Sequence, residues 1–488
     1  MQSLRAHRDV QRRLRYGPGL AAAMGAVLLG AGPALAQGTI NGADATIVRH
    51  IRDPAVELAM KIKDSFTFAA VGDVWTTSRP IGPLNDPQWQ ALTKIMREAD
   101  MTYANMEGPI TDWTNAPDRR GSPKAFIADL KQMGIRIVTT ANNHSIDGGH
   151  PGILSTIAYL DEAGIANAGT GRDLVAARRP GIAATPKGTV GAVGMYSIDA
   201  SNSPAPSRYS DARPNWPGVN PLHVTPYNIV TPAQLKNLKE LRDSMYTRRG
   251  EVNMPVLPAR ADEPADRVNV LSTWYRTKPG GRTGDLSYVM DPSDLNPIIQ
   301  SVRAGKQLTD FMVVGIHCHQ NSFAFQAYSN DNQTPDFLIE LAHKVIDNGA
   351  DVFVGHGVHT LRGIEIYKGK PIFYGLSNFI YQAGATPQIV NPALPYPAET
   401  TVADTTHQPQ NQEMLLTTSR YEGGKLVEVR LYPTDSGIDG KSPLSRSNFS
   451  RLAAPDQAQR ILKLMQDLSK PFGTVITIEN NVGVIRVG

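Results

Sequence analysis

The chain has almost no cysteine. Cys318 is the only one among 488 residues, so no intrachain disulfide can form and the fold has to stand on its core. It also lacks a charge of one sign. Arg5, Arg8, Arg12, Arg13 and Arg15 against Asp9 carry the whole formal net charge of +4, and the remainder of the chain is formally neutral. Without a basic excess to neutralise phosphates, nucleic acid is excluded as an expected partner, and attraction to an anionic membrane surface loses its basis for the same reason. Beyond residue 36 no segment is apolar enough to cross a bilayer.

The cationic start is followed by a short apolar stretch, Leu20 to Ala31, and by Ala34-Leu35-Ala36 before Gln37. This order reads as a secretory signal peptide over 1–36, which places the rest of the protein in the periplasm or outside the cell. Arg12-Arg13 faintly suggests twin-arginine export, but the rest of that pattern is poor and an ordinary secretory signal fits better.

What the chain does have is a set of apolar runs that end in polar motifs: Gly72-Asp73, Asn105-Met106-Glu107, Asn142-Asn143-His144, His317-Cys318-His319 and Gly355-His356-Gly357-Val358-His359. Phe66 to Val71, Met101 to Ala104, Ile135 to Thr140, Phe311 to Ile316 and Asp351 to Val354 read as buried parallel strands. Helices are expected over Trp89 to Asp100, Phe126 to Met133 (stopped at Gly134), the stripe from Ile153 to Leu160, and Pro335 to Asp347. Strand–helix alternation implies a mostly parallel α/β sheet, and ligands bind at the carboxyl ends of such strands.

The alternation breaks between 199 and 307, a stretch too long for a loop inside a compact domain. It is expected to be an insertion over the active-site edge or a cap, with one helix from Pro232 to Met245. The chain then divides into 37–198, the insertion, 308–381, and a loop with a β-rich end over 382–488. In that last part, Met414 to Ser419 and Leu426 to Tyr432 pair antiparallel and a helix covers Pro455 to Leu468.

Oxygen and imidazole donors gathered at one sheet edge suit a two-metal hydrolytic centre. Each motif also has a plainer reading. Asp73 can start a turn or cap a helix. Glu107 can be a surface turn residue. Asn143-His144 can be an Asx turn, and His356 and His359 can be packing plus a loop histidine. Cys318 lies between two histidines, but strand alternation turns it away from His317, which favours a buried thiol over a ligand.

Three longer stretches resemble the CapA family, the poly-γ-glutamate capsule biosynthesis proteins with a calcineurin-like metallophosphoesterase fold. They are Ala104-Asn-Met-Glu-Gly-Pro-Ile-Thr-Asp112, Ala141-Asn-Asn-His-Ser-Ile-Asp-Gly-Gly149 with its continuation to Gly171, and Gly349-Ala-Asp-Val-Phe-Val-Gly-His356 with its continuation to Phe379. The resemblance spans roughly 66–198 and 308–381. It implies a four-layer α/β sandwich with a large insertion, holding two divalent cations, for which Mn, Fe and Zn are all suited.

By that resemblance Asp73 and His359 hold one ion, Asn143, His317 and His356 hold the other, and Glu107 bridges them. His144, beside Asn143, serves as the acid or transition-state stabiliser. The resemblance further implies a metal-dependent hydrolase acting on an anionic ester or amide, a small molecule or a polymer. The alternative it leaves is an accessory protein that binds an anionic polymer during capsule assembly or export. Arg208, Arg213, Arg276, Lys278 and Arg282 of the insertion are candidate contacts for such an anion, or a solvated loop face.

The chain departs from the family pattern at three places. Trp75 stands where metallophosphoesterases usually have the His of Asp-x-His, a residue that CapA proteins usually lack as well. Cys318-His319-Gln320 replaces the usual Trp-Gly-acid. Gly-His-Gly-Val-His replaces Gly-His-His-Pro-His.

Overall fold

The computed structural model describes residues 54–76, 85–112, 121–198, 216–251, 264–324, 332–381, 413–436 and 450–487. The expected signal peptide, Arg208, Arg213 and the loop over 383–412 lie outside the described residues. The body below runs from Leu58 onward.

Two ten-stranded sheets make up most of it, beside two short two-stranded ones, among the described residues. In the first, β1 (Phe66–Trp75), β2 (Met101–Met106) and β3 (Ile135–Thr139) run parallel and in that order. Strand Glu413–Glu422 lies antiparallel on the other side of β1 and pairs with Lys425–Asp435. In the second sheet, β4 (Gly188–Ile198), β5 (Phe311–His317) and β6 (Val352–His356) run parallel. The hairpin Ile364–Tyr367/Lys370–Phe373 extends it beyond β6.

The alternation of side chains along these strands builds four layers. Phe66, Phe68, Tyr103 and Ile137 of the first sheet meet Phe311, Val313, Val352 and Val354 of the second in a shared core, where the rings of Phe66 and Phe68 sit 5.2 and 5.3 Å from that of Phe311. The intervening residues face outward onto helices. Ala69, Val71, Ala104 and Val138 pack on Leu92, Met96, Leu130 and Leu160, while Met312, Val314, Ile316 and Phe353 pack on Ile298, Val302, Leu338 and Leu341. A strand apolar on both faces reads as an unbroken run, which is why these strands stand out in the sequence.

The helices begin and end where local chemistry dictates. Asp86 Oδ1 accepts from the backbone N–H groups of Gln88 and Trp89 and Pro87 fills the first position of Pro87–Glu98. Phe126–Met133 stops at Gly134, which takes φ 88°.

The stretch expected as an insertion or cap contributes to the second sheet. Pro221–Ile229 pairs parallel with the end of β4, Leu286–Met290 pairs antiparallel with Pro221–Ile229, and the hairpin Arg267–Val270/Thr273–Arg276 adds to the edge. Helix Pro292–Leu308 covers the outer face. The expected helix from Pro232 runs on to Glu251. Pro221 and Pro226, which donate no hydrogen bond, mask the first of these strands in the sequence.

Candidate metal centre

The carboxyl ends of β1, β2, β5 and β6 converge. β1 breaks register with β2 between Ala70 and Asp73, and its last residues pair with Asn378–Tyr381. The approach is close at Gly72, where a Cβ would lie 1.8 Å from the Ser377 carbonyl oxygen, so only glycine fits. The shift turns the Asp73 carboxylate into the space between the sheets.

Asp73 is fully buried. Its Oδ1 accepts from Asn105 Nδ2 at 2.8 Å and lies 3.6 Å from both His317 Nδ1 and His356 Nδ1. Its Oδ2 accepts from the Gly357 backbone N–H at 3.1 Å and lies 3.9 Å from His359 Nδ1. Two groups of donor atoms result, each within 4.8 Å: Asp73, His317 and His356, and Asp73, Glu107 and His359. Asp73 is common to both groups. Glu107 Oε1, in the second, is also 3.8 Å from His317 Nε2.

The turn after β6 presents the last donor. Gly357 has φ 102° and His359 itself has φ 58°, a left-handed conformation uncommon outside glycine. Ser377 Oγ donates to the His359 carbonyl at 2.9 Å. Asn378 Oδ1, 2.7 Å from His359 Nδ1, favours a proton there and leaves Nε2 with its lone pair.

Asn142 and Asn143 divide their work. Asn142 Oδ1 accepts from the backbone N–H groups of Gly108 and His144, and its Nδ2 donates to the Met106 carbonyl, which ties the Glu107 turn to the His144 turn. Asn143 turns its Oδ1 into the protein with no hydrogen-bond partner. His144 lies at the rim with 26% of its side chain exposed. Its Nδ1 is 2.8 Å from Asp147 Oδ2, and its Nε2 is 4.0 Å from Glu107 Oε1. Trp75 packs on that ring at 4.3 Å.

Tyr103 and Thr139, which no sequence motif singles out, join Asn105 of the second motif in holding the candidate ligands in place. Tyr103 OH lies 2.7 Å from Thr139 Oγ1 and 3.2 Å from His356 Nε2, and Thr139 Oγ1 donates to Asn105 Oδ1. Asn105 in turn holds Asp73. Gly315 makes room for this, since a Cβ there would lie 2.1 Å from the Tyr103 hydroxyl. Tyr103 and Thr139 sit inside strands that read as apolar runs.

The electrostatics fit a cation. Both oxygens of Glu107 and His317 Nε2 are buried with no hydrogen-bond partner, a costly state unless something else satisfies them. Burial, and then the charges of Asp73 and Asp147, hold the Glu107 carboxyl well above the usual carboxylate range. Burial pushes His317 well below the usual imidazole range and His356 down to about 3, and it lowers His359 as well. These imidazoles are therefore neutral, the form that binds metal. A divalent ion would satisfy the orphaned carboxylate and draw on those lone pairs together.

The remaining candidates stand apart from these groups. Cys318 is buried on the helix side of the second sheet, as strand alternation requires, with Arg362 Nη1 3.5 Å from its Sγ. Arg276 lies 3.6 Å from Asp266 and over the Tyr227 ring, Lys278 is 2.5 Å from Asp336, and Arg282 is exposed.

A helix–sheet–sheet–helix sandwich with carboxylates and imidazoles gathered at parallel strand ends defines a candidate metal protein of α/β class. The chain belongs to the family described as bacterial capsule synthesis protein PGA_cap, which matches residues 67–383. Protein y4sH of Sinorhizobium fredii is 35% identical, over 88% of this chain and 95% of its own. A probable polyglutamine synthesis accessory protein of Mycobacterium tuberculosis is 28% identical over 60% of this chain and 59% of its own. The PGA biosynthesis protein CapA of Bacillus subtilis is 24% identical over 62% and 58%. Among solved structures, a putative 5'-nucleotidase from Staphylococcus aureus aligns with a TM-score of 0.33 at 10% identity, over 83% of this chain and 58% of that chain. Among the described residues no helix is long and apolar enough to cross a membrane.

Proposed function

We propose that the protein is an exported, metal-dependent hydrolase of the CapA type that acts on an anionic ester or amide in capsule or poly-γ-glutamate metabolism. The observation that carries this reading is the buried Glu107 carboxylate, both oxygens without a hydrogen-bond partner, facing neutral imidazoles across Asp73. A structural network would have satisfied those atoms.

Asp73, Glu107, His359, His317, His356 and Asn143 would hold divalent ions, with Mn, Fe or Zn suited to the donors. Such ions supply Lewis acidity and lower the pKa of water. The chain's own residues do the rest. Tyr103 and Asn105 fix the imidazole and carboxylate that face each other. Asp147 holds His144 by Nδ1, so that Nε2 points toward Glu107 and can hold or give a proton at the leaving group. The half-buried rim at Asn143 and His144 is where an anionic substrate reaches the centre.

The second reading, an accessory protein that binds an anionic polymer, is favoured by the name of the mycobacterial relative. The test is metal content by elemental analysis of wild type and His356→Ala, with hydrolysis of bis(p-nitrophenyl) phosphate and of a γ-glutamyl anilide. About two ions per chain, lost in the variant together with hydrolysis, supports the enzyme. Intact metal content without turnover of either ester or amide, together with retention of poly-γ-glutamate on the immobilised protein, would favour the accessory reading.

A further inference from the structure

The two donor groups are not equally furnished. To the group of Asp73, His317 and His356 the family resemblance adds Asn143, whose Oδ1 is buried without a hydrogen-bond partner. The group of Asp73, Glu107 and His359 has no such neighbour on β1. Residue 75 shares a strand face with Asp73, since Val74 between them turns into the outer core. An imidazole there would offer a lone pair. The indole of Trp75 is a donor only, and it lies against the rings of His144 and Tyr381, at 4.3 and 5.6 Å.

The same two-residue relation recurs across the site. His319 follows His317 with Cys318 between them, and Cys318 is buried among the side chains that face the helices. His319 is thereby returned to the face of His317. It is 1% exposed. Its ring stands edge-on to that of His317 at 4.9 Å and lies 6.1 Å from that of His359. An imidazole, unlike an indole, has a ring nitrogen that can offer a lone pair.

We propose that His319 is a metal ligand of the ion held by Asp73, Glu107 and His359, and that it supplies from the second sheet the imidazole that Trp75 cannot supply from the first. The inference rests on the metal reading above. The nitrogens of His319 stand outside the two groups of donor atoms, so ligation draws its ring toward His359 by rotation of the side-chain torsions.

The experiment compares wild type, His319→Phe and His319→Gln, each purified and reconstituted with Mn or Zn. Elemental analysis and competition with a chelator give the stoichiometry and affinity of each ion, and X-ray absorption counts the imidazoles around the metal. Phenylalanine keeps a ring for packing but offers no lone pair. Glutamine keeps a polar donor, should the apolar ring fail to fold. The expected result is a native-like circular dichroism spectrum with one ion retained, the other weakened at least about tenfold, and one imidazole fewer in the metal shell. Two ions of unchanged affinity and an unchanged imidazole count in either folded variant overturn the proposal and make His319 a packing residue. If wild type itself takes up no metal, the metal reading fails and this inference falls with it. The two failures are told apart by the wild-type sample.

Discussion

The strands β5 and β6 carry polar groups at both ends, and the two ends behave oppositely. At the amino ends Lys306 is buried with its Nζ 2.6 Å from Asp351 Oδ2, which also accepts from the Met312 backbone N–H, and Lys370 lies 3.3 Å from the other oxygen. Lys61 reaches the carbonyls of Lys306, Gln307 and Thr309 close by. Charge there is matched by charge. At the carboxyl ends two buried acids, Asp73 and Glu107, face neutral imidazoles, and the Glu107 oxygens lack any hydrogen-bond partner. Lys306 and Asp351 are as buried as Asp73 and Glu107, so burial does not separate the two ends. Pairing with opposite charge does: Asp351 Oδ1, like the Glu107 oxygens, has no hydrogen bond, but an ammonium stands beside it.

Removing one member at each end breaks the comparison most sharply. Glu107→Ala is expected to abolish metal retention and hydrolysis while leaving the thermal midpoint equal to or above that of the metal-free wild type, because it deletes a buried carboxylate that lacks hydrogen bonds. A large loss of stability in the metal-free state would mean that Glu107 belongs to the structural class after all. Asp351→Ala should do the reverse. It strands the Lys306 ammonium and costs about 3–5 kcal/mol of stability in urea unfolding, with metal stoichiometry unchanged in the folded fraction.

Tyr103→Phe is a smaller perturbation. It removes a hydroxyl that orients His356 and leaves the ring in the core, so metal affinity should fall about 10- to 100-fold with the fold intact. An unchanged affinity would detach Tyr103 from the centre.

The smallest effect is a proton count. Glu107 is held above the usual carboxylate range mainly by burial and must ionise to bind a cation. Metal uptake near neutral pH should therefore release protons, and affinity should weaken as pH falls. Calorimetry in buffers of different ionisation enthalpy reads the release. No dependence on buffer would place the Glu107 carboxylate already ionised before the metal arrives.

How much of the molecule is legible in its sequence follows the same division. Strands apolar on both faces and ending in Asp73, Glu107, His317 and His356 announce both the sheets and the donors, because a buried run that stops at a charged or imidazole side chain delivers that side chain to the sheet edge. The supporting set does not announce itself. Tyr103 and Thr139 lie in runs where one polar side chain reads as tolerance, and Asn105, though part of a motif, shows its role only through the Asp73 and Thr139 side chains it touches. The strands of 216–308 are hidden by proline and by partners that lie beyond a local sequence window. The widening of the second sheet by Pro221–Ile229 and Leu286–Met290 therefore leaves no local pattern to read. Cys318 is legible by alternation alone.

Gly315 contributes no donor, acceptor or charge, yet it sets the gauge of the whole site. The hydroxyl of Tyr103 occupies the volume that any other residue at 315 would need for its first carbon. The first sheet therefore reaches His356 on the second through the space that the missing side chain leaves. A methyl group at 315 would act as a wedge, forcing either the sheets apart or the tyrosine off His356. The distance between two layers of backbone would thus be part of any coordination chemistry at this site, held by a residue that no inventory of functional groups would include.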